Sequence, residues 1–559
     1  MGPDLPALVH THASSWHDGG AAVLEPGGGI TALASERVGE RRKHCWDSRV
    51  AYRHLRSLPA YRELFGGPGD RSVDNSGGLV REGHHLYHAA SAFYGSGFPD
   101  AAVLVVDGQG DCGGLLTGTS LWRAGPDGLE PVERLSTTDG DFAADSLGHF
   151  YTAIGALAGA GRMHEEGTTM ALAAYGRPSR FTAMVREWAG TGPDGAYRVD
   201  PRVTRAVLAN TMGRWYFGWP APAPREQALW DAFAAARGRP VAAGRFGRDD
   251  MDIAHAGQAV LEEILLGLVR RAHRLVGGGR LCLAGGVALN CVANARIVRE
   301  GPFGAVFVVP APGDDGQALG KLMLEVHRRG LPVDTALRTA YLGPRYGPEA
   351  VGAALGRFAD RVRHTRPTGA ALVEEAAERL AAGQVLGWWQ GRSELGPRAL
   401  GHRSILADPR RPGMRERVNG AVKRREWFRP PAPMVLQERA ADFFDLDRPT
   451  PFMELAVPVR PERRALIPAV THTDGSARVQ TLRRDQDERC HLLLRRFDAH
   501  AGVPVLLNTS FNRRHEPLVE TPDDACRAFL AMDLDALVLG DRLVVRRGRG
   551  GEAGAAGRR

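Results

Sequence analysis

The sequence predicts an α/β fold built as two successive units, and three observations predict it. Over the first three-fifths of the chain, apolar runs ending in Gly, Pro or Asp alternate with helical stretches. After the turn-rich "LRTAYLGPRYGPEA" at 337–350 a second alternation of helix and strand begins. The length, 559 residues, exceeds what one ordinary domain takes.

Taken in order, "AAVLVVDG" (101–108), "RLCLAGG" (280–286) and "AVFVVPAP" (305–312) read as buried strands that deliver side chains to a site at their ends. "DIAHAGQAVLEEILLGLVRRAHRLVGGG" sets Ile253, Val260, Ile264, Leu268 and Leu275 on a helical period and stops at glycines. Glu262, Glu263, Arg270 and Arg271 make it an amphipathic core helix rather than a membrane helix. Around 195–250 the text is rich in Pro, Gly and Arg, loses periodicity and reads as loops or an insertion. In the second unit, "TGAALVEEAAERLAAG" is a helix capped by Thr368 and ended at Gly383. The strand "QVLGWWQ" follows, with further strands at "VPVLLNTS" and "DALVLGDRLVV". "TPDDACRAFLAM" opens a helix with Thr at the cap, Pro first and two acids in the first turn. The tail "RRGRGGEAGAAGRR", 546–559, is low-complexity and is expected to be disordered.

Composition narrows the classes. An apolar fraction of 43% with 24% charged residues is that of a soluble globular protein, and no apolar run is long enough to span a membrane. The N-terminus shows no basic segment followed by an apolar one, so no leader is indicated. Six cysteines are scattered without a CxxC pair, which fits reduced thiols in a cytoplasmic enzyme and not a zinc ribbon. The formal charge of +8 is spread out, without the aromatic-interleaved basic stripe of a nucleic-acid binder. Lys43, Lys321 and Lys423 are the three lysines in an otherwise arginine-based set of cations. A lysine kept in such a chain marks places where a compact ammonium is needed, which singles out Lys43 and Lys423, while Lys321 reads as an exposed helix position.

The densest chemistry is in "EGHHLYHAASAF" (82–93), three histidines in five positions. On a helix, His84 and His88 project from one face, a spacing suited to a divalent metal. Three strand-to-helix turns accompany them. "VVDGQGD" puts Asp107 and Gly108 at a strand end, where glycine lets backbone approach an anion; "LAGGVALN" offers the bare backbone of Gly285 and Gly286 before Asn290; "PAPGDDGQALG" carries Asp314.

This order of motifs resembles the ASKHA fold of actin and the sugar kinases, in which duplicated α/β halves grip a nucleotide. The paired histidines resemble the metal site of its tRNA threonylcarbamoyl-transferase branch. That resemblance implies His84, His88, Asp107 and Asp314 as ligands, with His85 a neighbour, and Gly108, Gly285, Gly286 and Asn290 as nucleotide-binding. Two imidazoles with two carboxylates suit Fe(II), Mn(II) or Zn(II), iron being the family's metal.

"WWQGRSELGPRALGHRSILADPR" (388–410), "KRREWFRPPAP" (423–433), "DGSARVQTL" (474–482) and "VLLNTSFNRRHEPLVETPDDA" (505–525) resemble the C-terminal, YrdC-like half of the NodU/CmcH O-carbamoyltransferases. "HDGGAAV", "SERVGERRKH" and "LAGGVALNCVANARI" agree, so the resemblance runs from about residue 8 to about 545. It implies an ASKHA-type carbamoyl-transfer domain over 1–340 and a YrdC-like domain over 341–545 that forms carbamoyl-adenylate. The implied co-substrates are carbamoyl phosphate and ATP with Mg, bound in the second domain by Arg398, Lys423, Arg429, Arg478, Asn508 and Ser510. His17 is then the candidate general base toward an acceptor hydroxyl, and Lys43 a candidate neutralising cation. The chain departs from the family at "EEGTTMALAAYG" (165–176), with Thr168 where lysine is usual and Ala171 where glycine is.

The expected activity is ATP-dependent transfer of a carbamoyl group to a small-molecule, natural-product hydroxyl in the cytoplasm. No nucleic-acid or membrane partner is expected, and a homodimer is left open. A tRNA threonylcarbamoyl-type enzyme and a catalytically silent ASKHA scaffold are the alternatives.

Overall fold

Both faces of the strand Ala101–Asp111 are covered, which fixes the middle of the first large sheet. Ala102, Leu104 and Val106 pack into one core, while Ala101, Val103 and Val105 pack into another on the opposite face. The computed structural model describes residues 8–13, 19–25, 27–39, 48–59, 61, 83–112, 115–138, 140, 142–160, 165–213, 221–238, 241 and 244–547. In it this strand is central to a five-stranded sheet ordered Ala305–Val308, Arg280–Ala284, Ala101–Asp111, Leu116–Gly125, Gly128–Thr138. The first three run parallel and the last two are antiparallel. Val105 lies opposite Ala284 and Leu283 opposite Val308. The turns after all three parallel strands therefore gather at one edge, where α/β sheets place ligands.

Helices cover this sheet. Arg248–Val276 buries Ile253, Val260, Ile264 and Leu268 on one face, while Leu275 is 40% exposed, since the apolar stripe has rotated out of contact by the last turn. His84–Ser96 covers the other face with Ala89, Ala92 and Phe93. The stretch 195–250, read as loops, contains the helices Pro201–Leu208 and Pro224–Arg237. The first is capped by Asp200, starts on Pro201 and buries Val203, Thr204, Ala206, Val207 and Leu208; Val203, Ala206 and Val207 fall on a helical spacing, but two turns of it do not stand out from the Pro- and Gly-rich text around them.

Two close approaches set the site. Gln317–Arg328 packs on His84–Ser96 at Gly320, where an added Cβ would lie 2.0 Å from the Tyr87 carbonyl oxygen. Gly110 leaves room for an imidazole, since a Cβ there would sit 2.0 Å from His84 Cδ2. Lys321, on the same helix as Gly320, is half-buried with its ammonium 5.8 Å from the Tyr87 ring centroid.

The second large sheet has eight strands, ordered Val362–Thr365, Arg542–Arg546, Ala536–Leu539, Leu386–Trp389, Arg403–Ala407, Val505–Ser510, Ala432–Leu436, Gln480–Leu482. Helices Gly369–Ala381 and Pro522–Ala531 start at Thr368 and Thr521, whose hydroxyls accept backbone N–H groups. Its last strand includes Arg546, the first residue of the segment read as a tail; residues 548–559 lie outside the described residues. Buried Arg37 donates to the carbonyls of Glu394 and Gly396, and Arg392 donates to those of Ile30 and Leu342, stitching the early strands to the later sheet. Among the described residues no helix is long and apolar enough to cross a membrane, and the five described cysteines are free and buried.

Gly320→Ala forces the two helices apart. It is expected to cost about 1–3 kcal/mol, the usual range for overpacking, read as a lower midpoint in chemical denaturation.

Candidate metal centre and anion pocket

His84, His88, Asp107 and Asp314 converge, with one ligand atom from each inside a cluster 4.8 Å across. One turn of helix aims both imidazoles the same way, and their Nε2 atoms are 3.2 Å apart. A bulge between Val106 and Gly110 takes Asp107 out of the ladder, so that Oδ2 stands 3.1 Å from His84 and 3.5 Å from His88. Asp314, in the short turn before Gln317–Arg328, holds Oδ1 at 3.3 and 3.1 Å from the same nitrogens.

These spacings suit one ion. Ligand atoms about 2.1 Å from a metal stand about 3.0 Å apart at right angles and about 3.4 Å apart at tetrahedral angles. Two imidazole nitrogens facing each other also need a proton or a cation between them, and two carboxylates supply the opposite charge. Burial opposes charge on His84, but Asp314 and Asp107 outweigh it and push that imidazole up to about 10. Burial likewise favours a neutral Asp107, yet the two histidines hold its carboxyl well below the usual range. The residues fit a first-row divalent metal.

His85 faces elsewhere. Its Nε2 donates to the Thr117 carbonyl and its Nδ1 pairs with the Ser120 hydroxyl, both at 2.8 Å. Burial first, and the charge of His84 second, push it down to about 3, so it is a neutral strut against the sheet. At the Gly-Gly turn, Gly286 N–H donates to Asp107 Oδ1 at 2.9 Å. Gly108 approaches Gly148 so closely that a Cβ on Gly148 would lie 2.5 Å from Gly108 N. Asn290 caps the next helix and shares a reciprocal amide pair with Gln258, which itself accepts from the Tyr151 hydroxyl. His17 and Lys43 lie outside the described residues.

In the second unit the structure brings the three arginines named from sequence together and adds a fourth, while Lys423 sits at a strand end. Lys423, 4% exposed, donates to the Ser510 carbonyl at 2.6 Å, the Ser510 hydroxyl at 2.9 Å and the Asn512 carbonyl at 2.9 Å, and to the Asn512 amide oxygen. Arg398, buried, donates to the carbonyls of Leu289 and Phe452. Burial and then the charge of Arg478 push it down to about 10. Burial also lowers Arg429, with the charge of Arg478 adding to it against the pull of Glu426. Asn508 donates to the Ala399 carbonyl and the Gln480 amide, leaving Oδ1 buried without a hydrogen bond.

Arg425 was not singled out from sequence. Burial first, then Arg429 and Arg478, push it down to about 9, and its Nη2 is buried without a hydrogen bond. Its Nε donates to Asn419 at 2.8 Å, which aims the rest of the guanidinium. Asn512 was missed as well. Their position in "KRRE" and "NTSFN" was the signal, hidden for Arg425 by the abundance of arginine. Four guanidinium groups, three of them weakened by the charge of Arg478 or of one another, form a group suited to a multiply charged anion.

Thr168, the departure from the family pattern, is buried and accepts a hydrogen bond from Arg429 Nη2; Ala171 is buried on the same helix. Arg429 and Arg398 thus tie the anion pocket to two elements of the first unit, Thr168 and the turn ending at Leu289. Nearby in sequence, Trp427 is 57% exposed and lines a recess of about 340 Å³ with Tyr175, Arg415, Arg464 and His472.

With this geometry in place, sequence comparison assigns the class: the chain belongs to the carbamoyltransferase family, its residues 71–323 matching the carbamoyltransferase N-terminus and 377–546 the carbamoyltransferase C-terminus. The nodulation protein NolO of Bradyrhizobium diazoefficiens is 37% identical over 83% of this chain and 79% of its own length. The nodulation protein NolNO of Sinorhizobium fredii is 38% identical over 83% of this chain, which spans 63% of it, just under two thirds. An uncharacterised Synechocystis protein, sll1178, is 37% identical over 84% of this chain and 77% of its own. Full-length HypF in a phosphate- and nucleotide-bound form aligns with a TM-score of 0.32 and 13% identity over 59% of this chain and 56% of its own. Of the three activities weighed from sequence, family membership selects the carbamoyltransferase enzyme and brings small-molecule substrates with it.

Two outcomes test the geometry. The unaltered protein is expected to purify with a transition metal and protein with His84 and His88 both changed to Ala without one, measured by elemental analysis. Arg425→Met removes a buried, repelled cation. The ligand-free protein is then expected to melt higher, about 1 °C for each kcal/mol relieved in a chain of 559 residues, while pyrophosphate loses its protective effect on melting.

Proposed function

We propose that this chain is an ATP-dependent O-carbamoyltransferase working at two sites, over 1–340 and 341–545. The observation that carries the reading is the group of Arg398, Arg425, Arg429 and Arg478, close enough for Arg478 to weaken the other three, set apart in the chain from the His84, His88, Asp107, Asp314 centre. One site suits polyphosphate chemistry and the other suits a metal.

The carbamoyl carbon is a weak electrophile because its nitrogen donates into the carbonyl, so it needs a better leaving group. Joining it to the α-phosphate of ATP supplies one. In that step pyrophosphate leaves ATP, orthophosphate leaves carbamoyl phosphate, and one water balances the atoms. Both products are anions, and fixed guanidinium groups in a desolvated pocket favour the charge that develops on them. Lys423, held by Ser510 and Asn512 at the strand end, places an ammonium against one phosphate. Asn508 keeps an acceptor for the carbamoyl NH₂ group. The aromatic recess at Trp427 suits the nucleoside base, with its two arginines on the phosphate side.

In the second step the carbamoyl group passes to an acceptor hydroxyl, whose proton is removed as attack proceeds, and AMP leaves. His84, His88, Asp107 and Asp314 hold the metal, Fe(II) by resemblance, and when bound it supplies a cation for nucleotide phosphate oxygens. The Gly108 and Gly285–Gly286 turns bring backbone to the nucleotide, and Gly286 holds Asp107 in place. His17 serves as the base and Lys43 as a neutralising cation, on their match to the family's motifs alone. The acceptor is a small-molecule hydroxyl, and the reaction is cytoplasmic.

Lys423→Ala is expected to abolish release of pyrophosphate from ATP in the presence of carbamoyl phosphate, while transfer from supplied carbamoyl-adenylate to an alcohol survives. Loss of neither step would overturn the assignment of the two sites.

A further inference from the structure

Gln317 has no place in the ligand set that the sequence suggested, yet it is the residue most closely applied to that set. It opens the helix Gln317–Arg328, three positions after Asp314, and is fully buried. Its amide Nε2 stands 2.8 Å from Asp314 Oδ1, 3.1 Å from His88 Nε2 and 3.0 Å from each of the two ring nitrogens of His84. The distances to Asp314 and His88 are those of neighbouring ligand atoms around one ion, while the equal approach to both ring nitrogens of His84 sets the amide beside that ring, so ligation calls for a small swing toward Nε2. The other end of the amide, Oε1, is buried and makes no hydrogen bond.

The two ends of a glutamine amide have nearly the same shape, and the surrounding charge decides which end faces inward. Without a cation, an N–H group facing the Asp314 carboxylate is favoured. With a divalent ion among the same atoms, an N–H group is repelled and a carbonyl oxygen attracted. The outward end lacks a partner as the amide now stands, so the inward end decides between the two orientations. Oxygen-donor amides are ordinary ligands for hard and borderline divalent ions.

We infer that Gln317 is a fifth protein ligand of this metal centre, binding through Oε1 after its amide turns over. The inference rests on the metal reading of His84, His88, Asp107 and Asp314. Five protein donors leave a six-coordinate ion one position for an exogenous oxygen instead of two. Gln317 thereby limits how many phosphate or acceptor oxygens the ion can hold at once, which makes it a determinant of how substrate binds. No charge accompanies this donor, so the site keeps the two carboxylates as its only anionic ligands among the described residues.

The test uses the full-length protein loaded with Co(II), whose visible bands strengthen as coordination number falls. Wild type, Gln317→Ala and Gln317→Glu are compared by absorption and by competition with a chelator. Gln317→Ala is expected to bind Co(II) about tenfold more weakly, with stronger visible bands. Gln317→Glu, which keeps an oxygen donor and adds charge, is expected to bind at least as tightly as wild type with a spectrum close to it. Rescue by glutamate separates ligation from mere packing, because a packing role would be disturbed by a buried charge. Identical spectra and affinities in wild type and Gln317→Ala would overturn the inference while leaving the four-residue centre standing. Failure of wild-type protein to bind Co(II) would instead overturn the metal reading itself.

Discussion

Holding like charges side by side away from water is the constraint around which the second half of this chain is arranged. Arg398, Arg425 and Arg429 are all weakened as cations by burial, and the nearby charge of Arg478 weakens each of them further. A free guanidinium would turn toward water. These are prevented from doing so by bonds to fixed groups: Arg398 by two backbone carbonyls, Arg425 by Asn419, Arg429 by Thr168 and Glu426. The surrounding sheet therefore bears an electrostatic cost that is released when an anion enters, and the preorganisation needs no rearrangement at the moment of reaction. The Lys423 ammonium is held in the same manner by the end of the strand Val505–Ser510.

The first half poses the complementary problem. Two carboxylates and two imidazoles meet within a few ångströms, and each makes sense only with a positive charge among them. What brings them together is backbone close approach. Gly110 admits the His84 ring against the strand, Gly320 lets the two ligand-bearing helices touch, and the bulge after Val106 turns Asp107 out of the ladder. Three segments, the last of them more than two hundred residues beyond the other two, are thereby registered to within a hydrogen-bond length.

Strands with uninterrupted apolar runs were legible in the sequence because burial on both faces leaves an unmistakable pattern, as at Val103 to Val106. The paired histidines were legible for a simpler reason, that a four-residue spacing on a helix needs no tertiary information. The two-turn helix Pro201–Leu208 was not, since its apolar spacing runs for only two turns within Pro-, Gly- and Arg-rich text. Arg425 and Gln317 were illegible for different reasons. An arginine is invisible among many until its solvent exposure is known, and a glutamine carries no expectation of metal binding until its neighbours are. His85, set apart from the candidate ligands in the same motif, is turned by the helix toward Ser120 and Thr117, where it is buried as a neutral side chain.

The two clusters are physically joined, and the junction bears on how a two-site enzyme would work. Arg398 donates to the carbonyl of Leu289, at the end of the turn that begins with Gly285 and Gly286. Gly286 in turn donates to Asp107, one of the four residues at the metal centre. A short run of backbone therefore has an anion-pocket arginine at one end and a metal-centre carboxylate at the other. An anion that draws Arg398 away from Leu289 would relax that turn, and an ion that draws Asp107 would tighten it. Binding at one end changes the strain at the other only if the turn has two arrangements, so any coupling by this route would be carried by residues 285–289. Arg429 makes a second crossing at Thr168, and a threonine suits it better than the lysine of the family pattern would, since a second cation there would add to the repulsion that already weakens Arg429.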